Sequence, residues 1–120
     1  MFIDTHAHLY VPEFDKDRKE VLARAIEAGV GHFVLPAIDS KHTQAMHTLY
    51  AQYPENVSMM MGLHPTHVGD DFEQELDHVQ TQLKTGKYVA VGEIGIDLYW
   101  DASTLSLQQW SHLERFWELY

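Results

Sequence analysis

Met1-Phe2-Ile3-Asp4-Thr5-His6-Ala7-His8-Leu9 opens the chain, and its alternation decides how the remainder is read. Extended, the stretch sets Phe2, Asp4, His6 and His8 on one side and Ile3, Thr5 and Ala7 on the other, because side chains alternate across a strand. Two imidazoles one pleat repeat apart can share a divalent cation, provided further ligands arrive from elsewhere in the fold. Asp4, one repeat deeper, is placed to orient a histidine or to fill the floor of such a site. A strand with polar ends and no metal is the plainer alternative.

Beyond this strand, Val11-Pro12-Glu13-Phe14 reads as a loop, since Pro12 blocks helix or ladder continuation. Asp17, with Glu20 three residues on, offers a capping box to a first helix. Its apolar face is Val21, Leu22, Ala25 and Ile26, and Gly29 stops it. Residues 32–37 form a short apolar run fit for a buried strand, which ends in a loop at Asp39-Ser40. Ser40 is a candidate cap for a second helix with the stripe Ala45, Met46, Leu49, Tyr50 and Tyr53, halted by Pro54.

Residues 57–61 read as a third strand, although methionine has little β preference. Asp70 or Asp71 then caps a third helix carrying Phe72, Leu76, Val79 and Leu83, which Gly86 ends. Residues 88–93 are the fourth strand. A last helix from about residue 104 carries Leu107, Trp110, Leu113, Phe116, Trp117 and Tyr120 on one stripe. Four alternations of strand and helix with short loops predict a parallel sheet of βαβ units, either a small open doubly wound sheet or half of a (β/α)8 barrel. Either way, chemistry gathers at the carboxyl ends of the strands, where His6, His8, Asp39, His64 and Glu93 all fall. His32, ahead of its strand, is expected at the opposite rim.

The chain has 120 residues, which suits one domain over 1–120 and is short of the roughly 250 that a complete barrel takes. Hydrophobic residues make up 45% and charged ones 22%, an ordinary globular composition with no apolar run long enough for a bilayer. The start has no basic region followed by an apolar core, so the expected compartment is the cytoplasm. Cysteine is absent, so disulfides and thiolate metal sites are excluded, and any metal must be held by histidine and carboxylate. A formal net charge of −10 opposes broad electrostatic grip on duplex nucleic acid. It does not exclude a phosphodiester substrate, because divalent cations concentrate positive charge where a scissile phosphate would sit.

Four stretches in order carry a resemblance: Phe2-Ile3-Asp4-Thr5-His6-Ala7-His8-Leu9, Pro36-Ala37-Ile38-Asp39, Gly62-Leu63-His64-Pro65 and Val91-Gly92-Glu93-Ile94-Gly95-Ile96-Asp97. From Met1 to about Gln109 the chain resembles the N-terminal half, about four βα units, of the TatD-type metal-dependent deoxyribonucleases, a branch of the amidohydrolase-like TIM barrels. The resemblance implies hydrolysis of phosphodiester bonds in DNA by metal-activated water. Two divalent ions are implied, with zinc, manganese and magnesium all compatible with mixed imidazole and carboxylate ligation. By motif, His6 and His8 correspond to ligands of one metal, Glu93 to a carboxylate bridging both, and His64 to a pocket residue beside the substrate phosphate. Glu93 and His64 are thus the implied catalytic residues.

The resemblance also implies four further strands that supply a His-x-Arg motif, a second later histidine and a late aspartate, which are expected to be missing because the residues stop at Tyr120. The expectation is therefore the product of an interrupted longer gene, either inactive with one weakly held metal or completed by another chain. Two exposed half-barrel edges predict self-association. Another amidohydrolase-type hydrolase of C–N or ester bonds is the alternative chemistry. However, no lysine stands at a strand end to supply a carbamylated bridge, which favours the bridging carboxylate.

Asp97 reads as a turn former, Asp39 is open between pocket and turn, and His64 also suits a loop cap before Pro65. His42, His47, His67, His78 and His112 are expected on solvated surface, Met59-Met60-Met61 in the core, and Trp110 and Trp117 on the apolar stripe of the last helix. Trp100 can in principle stack on a base.

Overall fold

The computed structural model describes residues 1–99 and 105–118, with the side chains of 105–107 and 116 outside that description. Strand and helix alternate through it: β1 (Phe2–Asp4), α1 (Arg18–Glu27), β2 (Val30–Leu35), α2 (Thr43–Gln52), β3 (Val57–Met61), α3 (Phe72–Leu83), β4 (Ala90–Val91) and α4 (Leu105–Glu118). The four strands are parallel and lie in the order β1-β2-β3-β4. A parallel neighbour can be reached only by a crossover, and each crossover here carries a helix. The result is the N-terminal half of a (β/α)8 barrel. No helix among the described residues is long and apolar enough to cross a membrane.

Register follows burial. Phe33 pairs with Val57 and Leu35 with Met59, so the buried residues of β2 and β3 align. They form one core with Leu22 of α1, Met46 and Leu49 of α2, and Leu76 and Val79 of α3. In β3 burial alternates, with Val57, Met59 and Met61 fully buried and Ser58 and Met60 only partly so. Unbranched, polarisable methionine fills this layer despite its weak strand preference. Gly29 and Gly86 stop α1 and α3 at φ +100° and +73°, a left-handed region that glycine enters without a Cβ penalty.

Several local expectations are corrected. β1 ends at Asp4, not Leu9, because the Asp4 carboxylate turns back to accept the backbone N–H of His6 at 3.0 Å. His6 and His8 therefore lie beyond the pleat, and Asp4 orients a peptide, not an imidazole. β2 begins at Val30, so His32 lies inside it, opposite Ile3, with Nε2 2.7 Å from the Ser58 hydroxyl. β4 is only Ala90–Val91, shorter than the run 88–93. Asp17 and Asp71 occupy N-cap positions without making a side-chain cap hydrogen bond. Ser40 opens a 3-10 turn, and its N–H and hydroxyl donate to Glu75 at 2.9 and 2.7 Å, an ionic partner that outcompetes a local cap.

α4 departs most from its pattern. Trp110 and Trp117 are exposed, while Gln109 and His112 are fully buried. Gln109 docks the helix: its Nε2 donates to the Pro65 and Asp97 carbonyls at 2.9 and 3.1 Å, and its Oε1 accepts the Asp97 N–H at 2.7 Å. A buried amide satisfied on both sides can replace an apolar contact. Asp97 is itself a turn former, its carboxylate accepting the Tyr99 N–H at 2.8 Å. Trp100, Tyr120 and the side chains of Leu107 and Phe116 lie outside the described residues.

Two measurements test this packing. A Cβ at Gly62 would stand 2.4 Å from the Glu93 carbonyl oxygen, so Gly62→Ala is expected to destabilise by about 1–3 kcal/mol in urea unfolding. An unchanged midpoint would show that the two loops do not meet there. Burial pushes the His112 imidazole down to about 4, so the unfolded chain takes up a proton near 6.5 that the folded chain refuses. Stability should therefore fall between about pH 6.5 and pH 4, by at most about 3 kcal/mol. His112→Gln should flatten that slope; parallel slopes for the two proteins would contradict the burial of His112.

Candidate metal centre

Backbone hydrogen bonds past the strand ends assemble the carboxyl rim. The Ala7 N–H donates to the Val34 carbonyl at 3.2 Å, carrying the segment after β1 along β2. Ala37 and the Gly92-Glu93 pair exchange two bonds: Ala37 N–H to Gly92 O at 2.9 Å and Glu93 N–H to Ala37 O at 3.1 Å. The His64 N–H donates to Ile38 O at 2.8 Å. Loops after β2, β3 and β4 are thereby laced together, and Gly62 leaves room for the Glu93 backbone to cross.

This lacing brings His6, His8, His64 and Glu93 to one place. Glu93 Oε2 is 2.7 Å from His8 Nε2 and 3.3 Å from His6 Nε2, and the two imidazole nitrogens are 3.2 Å apart. One ligand atom from each of His6, His8 and Glu93 lies within 4.8 Å of the others. Glu93 Oε2 is buried yet accepts no hydrogen bond from any described residue. A buried carboxylate oxygen without a donor is costly, and a cation there would relieve it. The donor set of two imidazoles and a carboxylate fits a divalent cation.

His64 faces the other oxygen, its Nε2 3.3 Å from Glu93 Oε1. Its Nδ1 accepts the Thr66 backbone N–H at 3.1 Å and lies 2.7 Å from the Thr66 hydroxyl. An amide can only donate, so Nδ1 carries the lone pair and Nε2 the proton. His64 is thus both a loop cap and an N–H donor pointed into the site. Burial, opposed by the Glu93 charge, holds the His8 imidazole below its ordinary range, which favours the neutral ring that binds metal.

Three neighbours were not legible in the sequence. Tyr10 is buried, donates to the Pro36 carbonyl at 2.5 Å, and has its oxygen 3.2 Å from His8 Nδ1. Burial, with the charges of Glu93 and Asp39, pushes its phenol above the ordinary range, so it stays protonated. His42, expected on solvated surface, is half-buried, and together with His67, which is exposed as expected, it clamps Asp39 through the Nδ1 atoms at 2.6 and 2.8 Å. Burial raises the Asp39 carboxyl, but these two hydrogen bonds outweigh it and hold it low. His47 and His78 are also engaged, with Tyr88 and the Thr43 hydroxyl respectively. The signal for His42 was its position three residues after Asp39; for His67 there was none, since the partners are 28 residues apart.

Rings continue edge to face around the rim, from His6 through His8, Tyr10, His42 and His67 to His64 at centroid spacings of 5.1–6.4 Å. The hollow lined by Asp15, Arg18, Lys19, Gln52 and Tyr53 shares no residue with them. Chemistry, not cavity size, marks the site.

The sequence profile described as TatD related DNase matches residues 3–119. An uncharacterised metal-dependent hydrolase of Escherichia coli (strain K12), YjjV, is 37% identical over 111 residues, which are 91% of this chain and 42% of that protein. The 3'-5' ssDNA/RNA exonuclease TatD of Yersinia pseudotuberculosis is 32% identical over 106 residues, 88% of this chain and 41% of its own. The crystal structure of YjjV superposes with a TM-score of 0.84 at 36% identity, covering 98% of this chain and 46% of that one. A TatD-family hydrolase from Entamoeba histolytica, 23% identical, shares the fold with a TM-score of 0.77. The chain spans less than half the length of these relatives. It belongs to the TatD-related DNase family.

Proposed function

We propose that this member of the TatD-related DNase family carries the first half of a metal-dependent phosphodiesterase centre acting on DNA, with His6, His8 and Glu93 as ligands and His64 as a phosphate contact. The observation carrying this is the meeting of His6 Nε2, His8 Nε2 and Glu93 at the carboxyl rim. When bound, divalent ions supply Lewis-acid charge and acidify a water molecule. The chain's own residues do the rest. Glu93 presents one oxygen to the imidazole pair, where it would help hold a cation, and the other to the His64 side. His64 offers its Nε2–H to a substrate phosphate oxygen. The Yersinia relative's name, a single-strand DNA and RNA exonuclease, supports nucleic acid as the substrate class. In a protein of net charge −10, cations at the rim also admit a polyanion that the surface repels.

One observation favours a second reading, a chain that binds a single ion without turnover. Among the described residues only one group of three donors converges. The Oε1 side of Glu93 meets His64, whose Nε2 carries a proton. A second ion would need ligands from further chain or from another copy, reached through the edges at β1 and β4 where Phe2, Ile3 and Val89 are exposed.

Metal analysis after dialysis should return one equivalent per chain, and His6→Ala and Glu93→Gln should each weaken Zn²⁺ or Mn²⁺ binding at least about tenfold in titration calorimetry. Two equivalents would overturn the single-ion reading, and unchanged affinity would remove these ligands. Degradation of a labelled single-stranded oligonucleotide with Mn²⁺ should be lost in Glu93→Gln. Turnover of simple esters without DNA cleavage would reassign the chain to another amidohydrolase chemistry. Association that rises with concentration in sedimentation would support completion by a second copy; a monomer throughout would exclude it.

A further inference from the structure

We propose that Tyr10 is a positioning residue for the metal centre: it locks His8 in the Nδ1–H tautomer, leaving the Nε2 lone pair aimed at the cation. The inference rests on the reading of His8 as a ligand, and it follows from counting protons. A phenol has one proton. Tyr10 gives it to the Pro36 carbonyl at 2.5 Å, and a carbonyl can only accept. At 3.2 Å from His8 Nδ1 the phenol oxygen can then act only as acceptor, so the hydrogen on that line belongs to Nδ1. A neutral imidazole carries one N–H, and Nε2 is therefore bare.

That bare nitrogen is the one 2.7 Å from Glu93 Oε2 and 3.2 Å from His6 Nε2. The lock is rigid. Tyr10 is 2% exposed and packs in the core, and Pro36 directly follows β2, so the phenol ties the ligand to the end of a central strand.

His64 supplies the contrast within the same rim. There a backbone amide donates to Nδ1 and drives the proton to Nε2. Opposite partners at Nδ1 thus make one imidazole a ligand and the other a donor. His6 has no comparable partner at Nδ1 among the described residues, so the lock acts on His8 alone. Partners of this kind typically change metal affinity about 10- to 100-fold.

Tyr10→Phe removes only the hydroxyl. Titration calorimetry with Mn²⁺ and with Zn²⁺ should show affinity reduced about tenfold or more, with the far-UV spectrum of wild type. Long-range ¹H–¹⁵N correlation spectra of the metal-free protein read the tautomer directly. Wild type should show His8 protonated at Nδ1, and Tyr10→Phe should show a mixture shifted toward Nε2–H. A merely structural tyrosine would not move that signature. His8 protonated at Nε2 in wild type would overturn the proposal even if the variant fails to fold, and so would a variant with undiminished affinity. Wild type showing the Nδ1–H form but no metal binding would instead overturn the ligand reading, with the tautomer lock intact.

Discussion

The reciprocal pair of backbone hydrogen bonds between Ala37 and Gly92-Glu93 is the join on which the rim depends. β4 is only two residues long, and strand pairing alone would not hold its end. Bonding across to the segment after β2 brings the Glu93 carboxylate within reach of His6 and His8, which follow β1, and of His64, which follows β3. Gly62 permits the crossing because no Cβ stands between it and the Glu93 carbonyl.

Once Glu93 is in place, hydrogen-bond supply sorts the histidines. Each ring at the rim has one nitrogen engaged by the scaffold or facing Glu93, and the partner decides what the other nitrogen offers. Thr66 makes His64 a donor, and Asp39 holds His42 and His67 through Nδ1. Burial works in the same direction at His8, which stays neutral more readily than a free imidazole.

In the described sheet β1 and β4 are the outer strands, and Met1, Phe2, Ile3 and Val89 are exposed beside them. The helices, by contrast, cover the other face completely enough to bury Leu22, Leu49, Leu76 and Val79.

Periodicity by itself determined the alternation of strand and helix, the helix stops at Gly29 and Gly86, and the restriction of any metal site to histidine and carboxylate. These are properties of neighbours in the chain or of composition, and they survive almost any tertiary arrangement. The gathering of His6, His8, His64 and Glu93 at one rim was also legible, since parallel strands put all their carboxyl ends on one side. Tertiary structure alone decided the rest. Asp4 ends its strand early by bonding the chain back on itself. Tyr10 finds Pro36 across 26 residues, and Gln109 finds Pro65 across 44, turning a predicted tryptophan stripe outward. Such partners are chosen by which polar group lies opposite after folding, and spacing along the chain carries no information about that.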